Sequence, residues 1–386
     1  MIYVHVPFCR SFCTYCDFYS EIAARQDAFF ERFTESVVEE IGARKEEIKG
    51  VCAEDGIHTL YVGGGTPSVL PLSFFSELLY ALEQIGVSLR FDEFTVEVNP
   101  EDVVEKGPDY IKGLLDMGVT RISMGVQSFD DKILKWMNRR HNAETAVKAY
   151  RMLETAGVVN ISIDLIFGLP QLSDSLWEET IDKALNISAK GKKPCHISSY
   201  QLSVEPGSAL ARLVEKGVWE EAADELCREQ YSILCKKLAD AGYHHYEISN
   251  FALPGYEAVH NSAYWRHVPY VGLGPGAHSF VKNSSGNIRC WNDQNLTAYV
   301  EAAESGDYTG VTGSEVLDDE QMVMEKIMLG LRTSEGVDAD YLMEHGDKTA
   351  VQAEMEAGNL CLTTEGRIRI PESYFFISDN IIASLV

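Results

Sequence analysis

The chain contains no apolar run approaching the ~18 residues that would cross a bilayer as a helix. It does not open on a charged segment followed by an apolar one, the mark of a secretion signal, but directly on MIYVHV. Positive charge is scarce: 33 Lys and Arg stand against 59 Asp and Glu, for a net charge of −26. That deficit argues against nucleic acid as a partner, because affinity for phosphate backbones rests mainly on Lys and Arg. It also argues against docking on anionic lipid. An even disulfide framework is missing too: of nine cysteines, three fall within eight residues and six are scattered singly. Solenoid repeats and low-complexity tracts are absent. What remains is a soluble protein of a reducing compartment, expected in the cytoplasm. Its 386 residues, 45% of them hydrophobic, suffice for two or three domains.

From the start to about residue 205, short β-branched runs alternate with amphipathic stretches. The strand-like runs are Ile2–Val6, His58–Val62, Phe94–Val98, Arg121–Val126, Asn160–Phe167 and His196–Leu202. They read as mostly apolar, as strands buried on both faces should be. Between them, Phe33, Val37 and Ile41, then Phe74, Leu78, Leu82 and Ile85, then Ala146, Ala149 and Leu153 mark helices by their three- and four-residue spacing. Six consecutive strand–helix units predict an α/β protein with a curled parallel sheet, a partial (βα)6 barrel, over 1–205. A capping segment is expected over 206–310, including a helix over Ala222–Ala241. A small, mainly helical, winged-helix-like domain is expected over 311–386. Its order is helix Glu320–Leu331, helix Asp338–His345, helix Ala350–Ala357, a hairpin about Glu365-Gly366, and helix Ser378–Leu385.

Immediately after the first strand comes Cys9-Arg-Ser-Phe-Cys13-Thr-Tyr-Cys16. Thiolates suit iron–sulfur clusters and zinc alike. A structural zinc site wants a fourth Cys or His nearby, yet Asp17 follows and the next cysteine is Cys52. A [4Fe–4S] cluster ordinarily takes four thiolates, so three in one loop would leave one iron open to a ligand. The spacing therefore favours a cluster over zinc.

Polar residues stand where a barrel carries its site, at the carboxyl ends of strands. Gly63-Gly64-Gly65-Thr66 follows the second run and permits close backbone approach. Glu97, flanked by valines, is costly in a buried strand unless paired. Gln127 ends the fourth run, Arg139 follows in the next helical stretch, Asp164 lies in the fifth run, and Tyr200 and Gln201 lie in the sixth. Each alone could be a satisfied interior group; Glu97, Gln127 and Asp164 on three successive strands indicate one polar cavity.

C-x₃-C-x₂-C with Tyr15 before the last cysteine resembles the radical S-adenosylmethionine (SAM) signature. Together with Tyr3-Val4-His5-Val6-Pro7-Phe8, Gly64-Gly65-Thr66-Pro67, Gly125-Val126-Gln127, Asn138-Arg139 and Asp164-Leu165-Ile166-Phe167-Gly168-Leu169-Pro170, it resembles the oxygen-independent coproporphyrinogen III oxidase family. The resemblance implies a [4Fe–4S] cluster on Cys9, Cys13 and Cys16. It also implies SAM contacts from Tyr3, Tyr15, Gly64, Gly65, Thr66, Glu97, Gln127, Arg139 and Asp164. Two departures stand out: Phe18 occupies the place of a further cysteine, and the extension expected before the first strand is missing. Both resemble the HemW branch, whose members are heme chaperones. His260-Asn261-Ser262-Ala263-Tyr264-Trp265 is similar to that branch's HNxxYW motif and implies heme at His260, the alternative being a capping histidine with core aromatics. The implied function is binding heme and handing it to an acceptor hemoprotein. Respiratory hemoproteins, and with them a transient membrane-protein contact, are what the family suggests. The alternative functions are an oxygen-independent coproporphyrinogen III dehydrogenase and a radical SAM enzyme of unrelated substrate. The glycines of Gly272-Leu273-Gly274-Pro275-Gly276-Ala277-His278-Ser279-Phe280 read as close packing and not as a phosphate loop. Cys52, Cys195, Cys227, Cys235, Cys290 and Cys361 read as buried small hydrophobes. His244 and His245, being adjacent, would face opposite ways in a strand.

Overall fold

The computed structural model describes residues 1–22, 27–53, 56–283 and 286–386. Six parallel strands follow one another in space as in sequence: β1 (Ile2–Val6), β2 (Thr59–Gly64), β3 (Glu93–Val98), β4 (Arg121–Gln127), β5 (Asn160–Phe167) and β6 (His196–Gln201). The expected boundaries of β1 and β5 agree with the structure, and the others differ by one or two residues. The sheet does not stop at residue 205. β7 (His244–Glu247) and β8 (Asn250–Ala252) extend it antiparallel beyond β6, and β9 (Val271–Leu273) pairs parallel with β1. The segment expected as a cap thus supplies three strands to the barrel sheet itself, because its backbone groups need the ladder that β1 and β6 leave open.

The strands are not apolar on both faces. Val4, Val62, Val96, Met124, Ile163 and Ile197 are fully buried on the outer face, under the helices. The alternate positions, among them Tyr3, Tyr61, Glu97, Ser123, Asp164 and Ser198, turn inward and line a cavity. Period-two alternation is therefore present in strands covered on both sides, the inner cover being the cavity's own polar wall.

Helix α1 (Asp27–Ala43) buries Phe33, Val37 and Ile41 against this sheet. The helix over Ala143–Ala156 begins on Asn142, whose side chain accepts from the Thr145 N–H, and ends at Gly157 in the left-handed region at φ 98°. Beyond β9 a three-stranded antiparallel sheet appears that the sequence did not announce: β10 (His278–Asn283), β11 (Gly286–Asn292) and β12 (Thr312–Leu317). The C-terminal part follows the expected order, with helices Asp319–Leu331, Ala339–His345, Lys348–Ala357 and Ser378–Leu385. A small sheet joins Cys361–Leu362 to Arg367–Arg369 across the expected hairpin. Among the described residues no helix is long and apolar enough to cross a membrane.

The glycines after residue 271 do pack closely: a Cβ at Gly272 would lie 2.0 Å from the His278 carbonyl, and Gly274, at φ +93°, has the His5 carbonyl at 2.4 Å. His244 is exposed and His245 buried, as adjacency in a strand requires. Of the six scattered cysteines only Cys227 is buried; Cys52, Cys195, Cys235, Cys290 and Cys361 are partly exposed, correcting the expectation for those five.

One buried carboxylate joins these layers. Glu40 on α1, fully buried, accepts from Arg44 (3.0 Å), the Gly274 N–H (2.8 Å), Asn292 Nδ2 (2.8 Å) and Tyr299 Oη (2.7 Å). Replacing Glu40 by Ala leaves the Gly274 N–H without its acceptor, while Arg44 keeps Glu47 and the Gly272 carbonyl, and Asn292 keeps the Gly274 carbonyl. The expected loss is about 1–3 kcal/mol of unfolding free energy, read from chemical denaturation.

Candidate functional site

The carboxyl ends of the barrel strands open into a cavity of about 1180 Å³, larger than the roughly 300–1,000 Å³ that usually holds one ligand. All thirteen residues expected at the cluster, SAM and heme sites line it, including Cys9, Cys13, Cys16 and His260.

The cysteine loop is fixed from both sides. The Thr14 N–H and hydroxyl donate to the Met137 and Trp136 carbonyls (3.1 and 2.9 Å). Asn138 donates to the Phe12 carbonyl (2.7 Å), and the Leu210 N–H to that of Thr14 (2.9 Å). Arg10 pairs with Glu105 and approaches the buried Asp102 at 3.7 Å. The glycine loop seals the other side: a Cβ at Gly65 would lie 2.7 Å from the Phe8 carbonyl.

The three cysteines are free and partly exposed. Cys9 Sγ lies 3.4 Å from Thr66 Oγ1, and Arg139 Nη1 lies 3.5 Å from Cys13 Sγ. Burial raises the Cys9 thiol and pushes Cys16 up to about 12. The three thiols of one loop are a donor set suited to a cationic iron centre, which would supply the charge that stabilises thiolate against burial at Cys9 and Cys16.

Arg139 lies not in a helix but in the turn after Asp131–Trp136, behind Asn138 at φ +59°. From there Nη2 reaches Asn99 Oδ1 (2.6 Å) and the Gly125 carbonyl (2.7 Å), while Nε is buried with no protein partner. Asn99 passes the chain on to Thr66 Oγ1 (3.1 Å). Gln127 ends β4 at φ +66°, a conformation that costs a non-glycine residue of order 1–3 kcal/mol and that clusters at ligand sites.

Deeper in, Glu97 accepts from Tyr61 Oη (2.6 Å) and the Gly64 N–H (3.1 Å). Burial, aided by Asp164 and opposed by the Tyr61 bond, pushes its carboxyl up to about 7. Asp164 accepts from Ser123 Oγ (3.2 Å) and is raised to about 6, again chiefly by burial. Tyr3 Oη meets His5 Nδ1 at 3.1 Å, and Tyr200 lines the same cavity. Sequence reasoning misses Tyr61, Asn99, Ser123 and Arg121. Their signal is the inward register they share with Glu97 and Asp164.

His260 sits at the opposite, amino end of the barrel. The helix Val259–Trp265 plugs that end, the Val259 and His260 N–H groups donating to the Glu93 carboxylate at 3.0 and 3.1 Å. The imidazole is 1% exposed. Nδ1 lies 2.7 Å from Thr59 Oγ1 and Nε2 2.9 Å from Tyr264 Oη. Burial lowers it to about 3, so the ring is neutral. As placed, His260 offers no free nitrogen to an iron.

The Radical SAM superfamily model matches residues 3–184. A relative named heme chaperone HemW from Lactococcus lactis is 34% identical over 336 residues, covering 87% of this chain and 82% of that protein. The Bacillus subtilis protein of the same name is 33% identical, covering 87% and 84%. Among solved structures, coproporphyrinogen III oxidase (HemN) from Escherichia coli superposes with a TM-score of 0.78 at 20% identity, covering 99% of this chain and 89% of that one.

The raised Glu97 carboxyl has a pH consequence for the ligand-free protein. The stability of its neutral form is fully present below about 4.5 and is lost as pH rises through about 7. Glu97→Gln is therefore expected to melt higher than wild type at pH 8, with the gap closing by pH 4.5. Parallel melting curves across that range check it.

Proposed function

The chain belongs to the HemW family of radical SAM proteins, and on that premise we propose that it binds heme and hands it to an acceptor hemoprotein. The kinship over most of the chain carries this reading. Phe18 supports it: it stands 66% exposed at the cysteine loop, where the related oxidases have a further cysteine. The acceptor proposed is a respiratory hemoprotein met by transient contact with a membrane protein, and the working compartment is the cytoplasm.

Cys9, Cys13 and Cys16 would hold a [4Fe–4S] cluster, and Tyr3, Tyr15, Gly64, Gly65, Thr66, Glu97, Gln127, Arg139 and Asp164 would hold SAM. When bound, that pair supplies one-electron chemistry able to cleave a sulfonium carbon–sulfur bond. The chain's own contribution is orientation and exclusion. Arg139 fixes Asn99 and the Gly125 carbonyl in the cavity wall and stands beside Cys13. Tyr61 and the Gly64 N–H hold Glu97 in one orientation, so that its carboxylate can accept from a ligand hydroxyl. Gly63 leaves that carboxylate uncovered, since a Cβ there would lie 2.9 Å from Glu97 Oε1. The helix carrying His260 closes the barrel floor and keeps water from entering there.

The second reading, a coproporphyrinogen III dehydrogenase, is kept in view by the likeness of fold to HemN. One sample separates the two. Anaerobically reconstituted protein is titrated with heme while its Soret band is followed, and is then assayed with coproporphyrinogen III and reductant. Saturable heme binding without protoporphyrinogen is expected; product formation would replace the chaperone reading with the enzymatic one. Replacing Cys9, Cys13 or Cys16 by Ala is expected to abolish the cluster, as read by iron and sulfide content. Full stoichiometry in any of the three would remove that residue from the ligand set.

A further inference from the structure

Arg139 stands beside the cysteine loop with no carboxylate among its hydrogen-bond partners. Its guanidinium reaches the Cys13 thiol (3.5 Å), the Asn99 side-chain oxygen (2.6 Å) and the Gly125 carbonyl (2.7 Å). A cation withdrawn from water is ordinarily paired with an acid. Here the shortest contact is a neutral amide, and the residue that supplies it is diverted from its usual task.

Asn99 occupies the N-cap position of the helix Pro100–Asp116, at φ −96° and ψ 143°. Asparagine is favoured at such a position because its side-chain oxygen accepts from an N–H of the first turn. At Asn99 that side-chain bond is absent. The Asp102 and Val103 N–H groups donate to its backbone carbonyl instead, at 3.1 and 3.2 Å. Its own N–H donates to Ser68 Oγ (3.1 Å), and Pro100 confines it to extended backbone. The backbone is thus fixed from both sides while the side chain leaves the helix and lines the cavity. Gly125 keeps the space for it: a Cβ there would lie 3.3 Å from Arg139 Nη2 and 3.5 Å from Asn99 Oδ1.

The polarity of this bridge follows from its ends. A guanidinium only donates, so the amide oxygen faces Arg139 and the amide nitrogen faces Thr66. Asn99 Nδ2 donates to Thr66 Oγ1 (3.1 Å), which lies 3.4 Å from Cys9 Sγ. A thiolate only accepts, so the Thr66 hydroxyl must turn its hydrogen to Cys9, and the amide proton on its oxygen leaves it free to do so. Resting on the cluster reading proposed above, we infer that Asn99 is a positioning residue, whose amide orients Arg139 toward Cys13 and Thr66 toward Cys9 so that two thiolates of a bound cluster each receive a donor. Hydrogen bonds and positive charge at the sulfurs stabilise the more negative, reduced cluster and raise its reduction potential. A carboxylate in place of the amide is nearly the same size but only accepts. It would pair with Arg139 and draw the Thr66 proton away from Cys9, reversing both ends of the bridge.

The test is a redox titration of the full-length, anaerobically reconstituted protein without SAM, followed by electron paramagnetic resonance of the reduced cluster. Wild type is compared with Asn99→Asp, Asn99→Ala and Asn99→Ser, with iron and sulfide content and circular dichroism establishing equal loading and folding. Asn99→Asp is expected to move the reduction equilibrium at least about tenfold toward the oxidised cluster, about 59 mV more negative for one electron, and to alter the resonance spectrum. Asn99→Ala and Asn99→Ser are expected to shift the potential the same way by less, and they decide the matter if Asn99→Asp takes up no cluster. Serine is a competent N-cap, so a purely structural role predicts a wild-type potential for Asn99→Ser and only a lower melting temperature for Asn99→Ala. That result overturns the assignment, as does a fully loaded Asn99→Asp protein with the wild-type potential and spectrum; in both cases the cluster reading stands. If wild type itself takes up no iron–sulfur cluster, that reading and this inference fall together.

Discussion

Inside the barrel every strand turns polar side chains toward its neighbours, and each of these must find a partner or a ligand, because an unpaired polar group in low dielectric costs about 1–3 kcal/mol. Much of the architecture follows from that accounting. Near the floor Ser162 bonds His196 and His196 bonds Tyr246, both at 2.8 Å. Thr59, His260 and Tyr264 form a second chain, and Tyr61 with Glu97 a third. Burial holds Glu97 and Asp164 above their ordinary carboxylate range, and buried atoms without a protein partner remain at Thr95 Oγ1 and at Asn261 Nδ2 on the floor helix as well as at Arg139 Nε beside the cysteines.

How much of this was legible depended on whether the signal lay along the chain or across it. β1 and β5 were readable because they are compact β-branched runs flanked by turns, and the cysteine loop because its spacing is local. The polar inner face was visible in principle, but Tyr61, Asn99 and Ser123 look unremarkable one at a time and acquire meaning only when six strands share a register. Arg139 was placed in a helix because its neighbours have helical composition, whereas Asn138 takes a left-handed turn that no periodicity signals. The three-stranded sheet β10–β12 was missed because its strands are mixed and partly exposed, so they lack a clean apolar pattern. His260 was legible as a motif but not as a buried plug, since its partners Thr59 and Glu93 lie in distant strands.

The molecule separates its chemistry by direction. The top of the barrel gathers thiols, a fixed guanidinium and backbone donors around a common opening. The amino end is shut by a helix whose first N–H groups are capped by Glu93. The flank beside the cysteine loop stacks His278 on Trp291.

The plug also sets an order of events in the making of the chain. Thr59 meets His260 across 201 residues, and Glu40 meets Gly274, Asn292 and Tyr299 across 234, 252 and 259. Contacts this distant in sequence form late, after the entropy of closing long loops has been overcome. During vectorial synthesis the six barrel strands emerge first, yet Glu93 stays without the Val259 and His260 N–H groups, and Glu40 has Arg44 alone, until the last third of the chain appears. The nascent barrel is thus left open at its floor, and completion of the later segment acts as the step that commits it to its final, closed form.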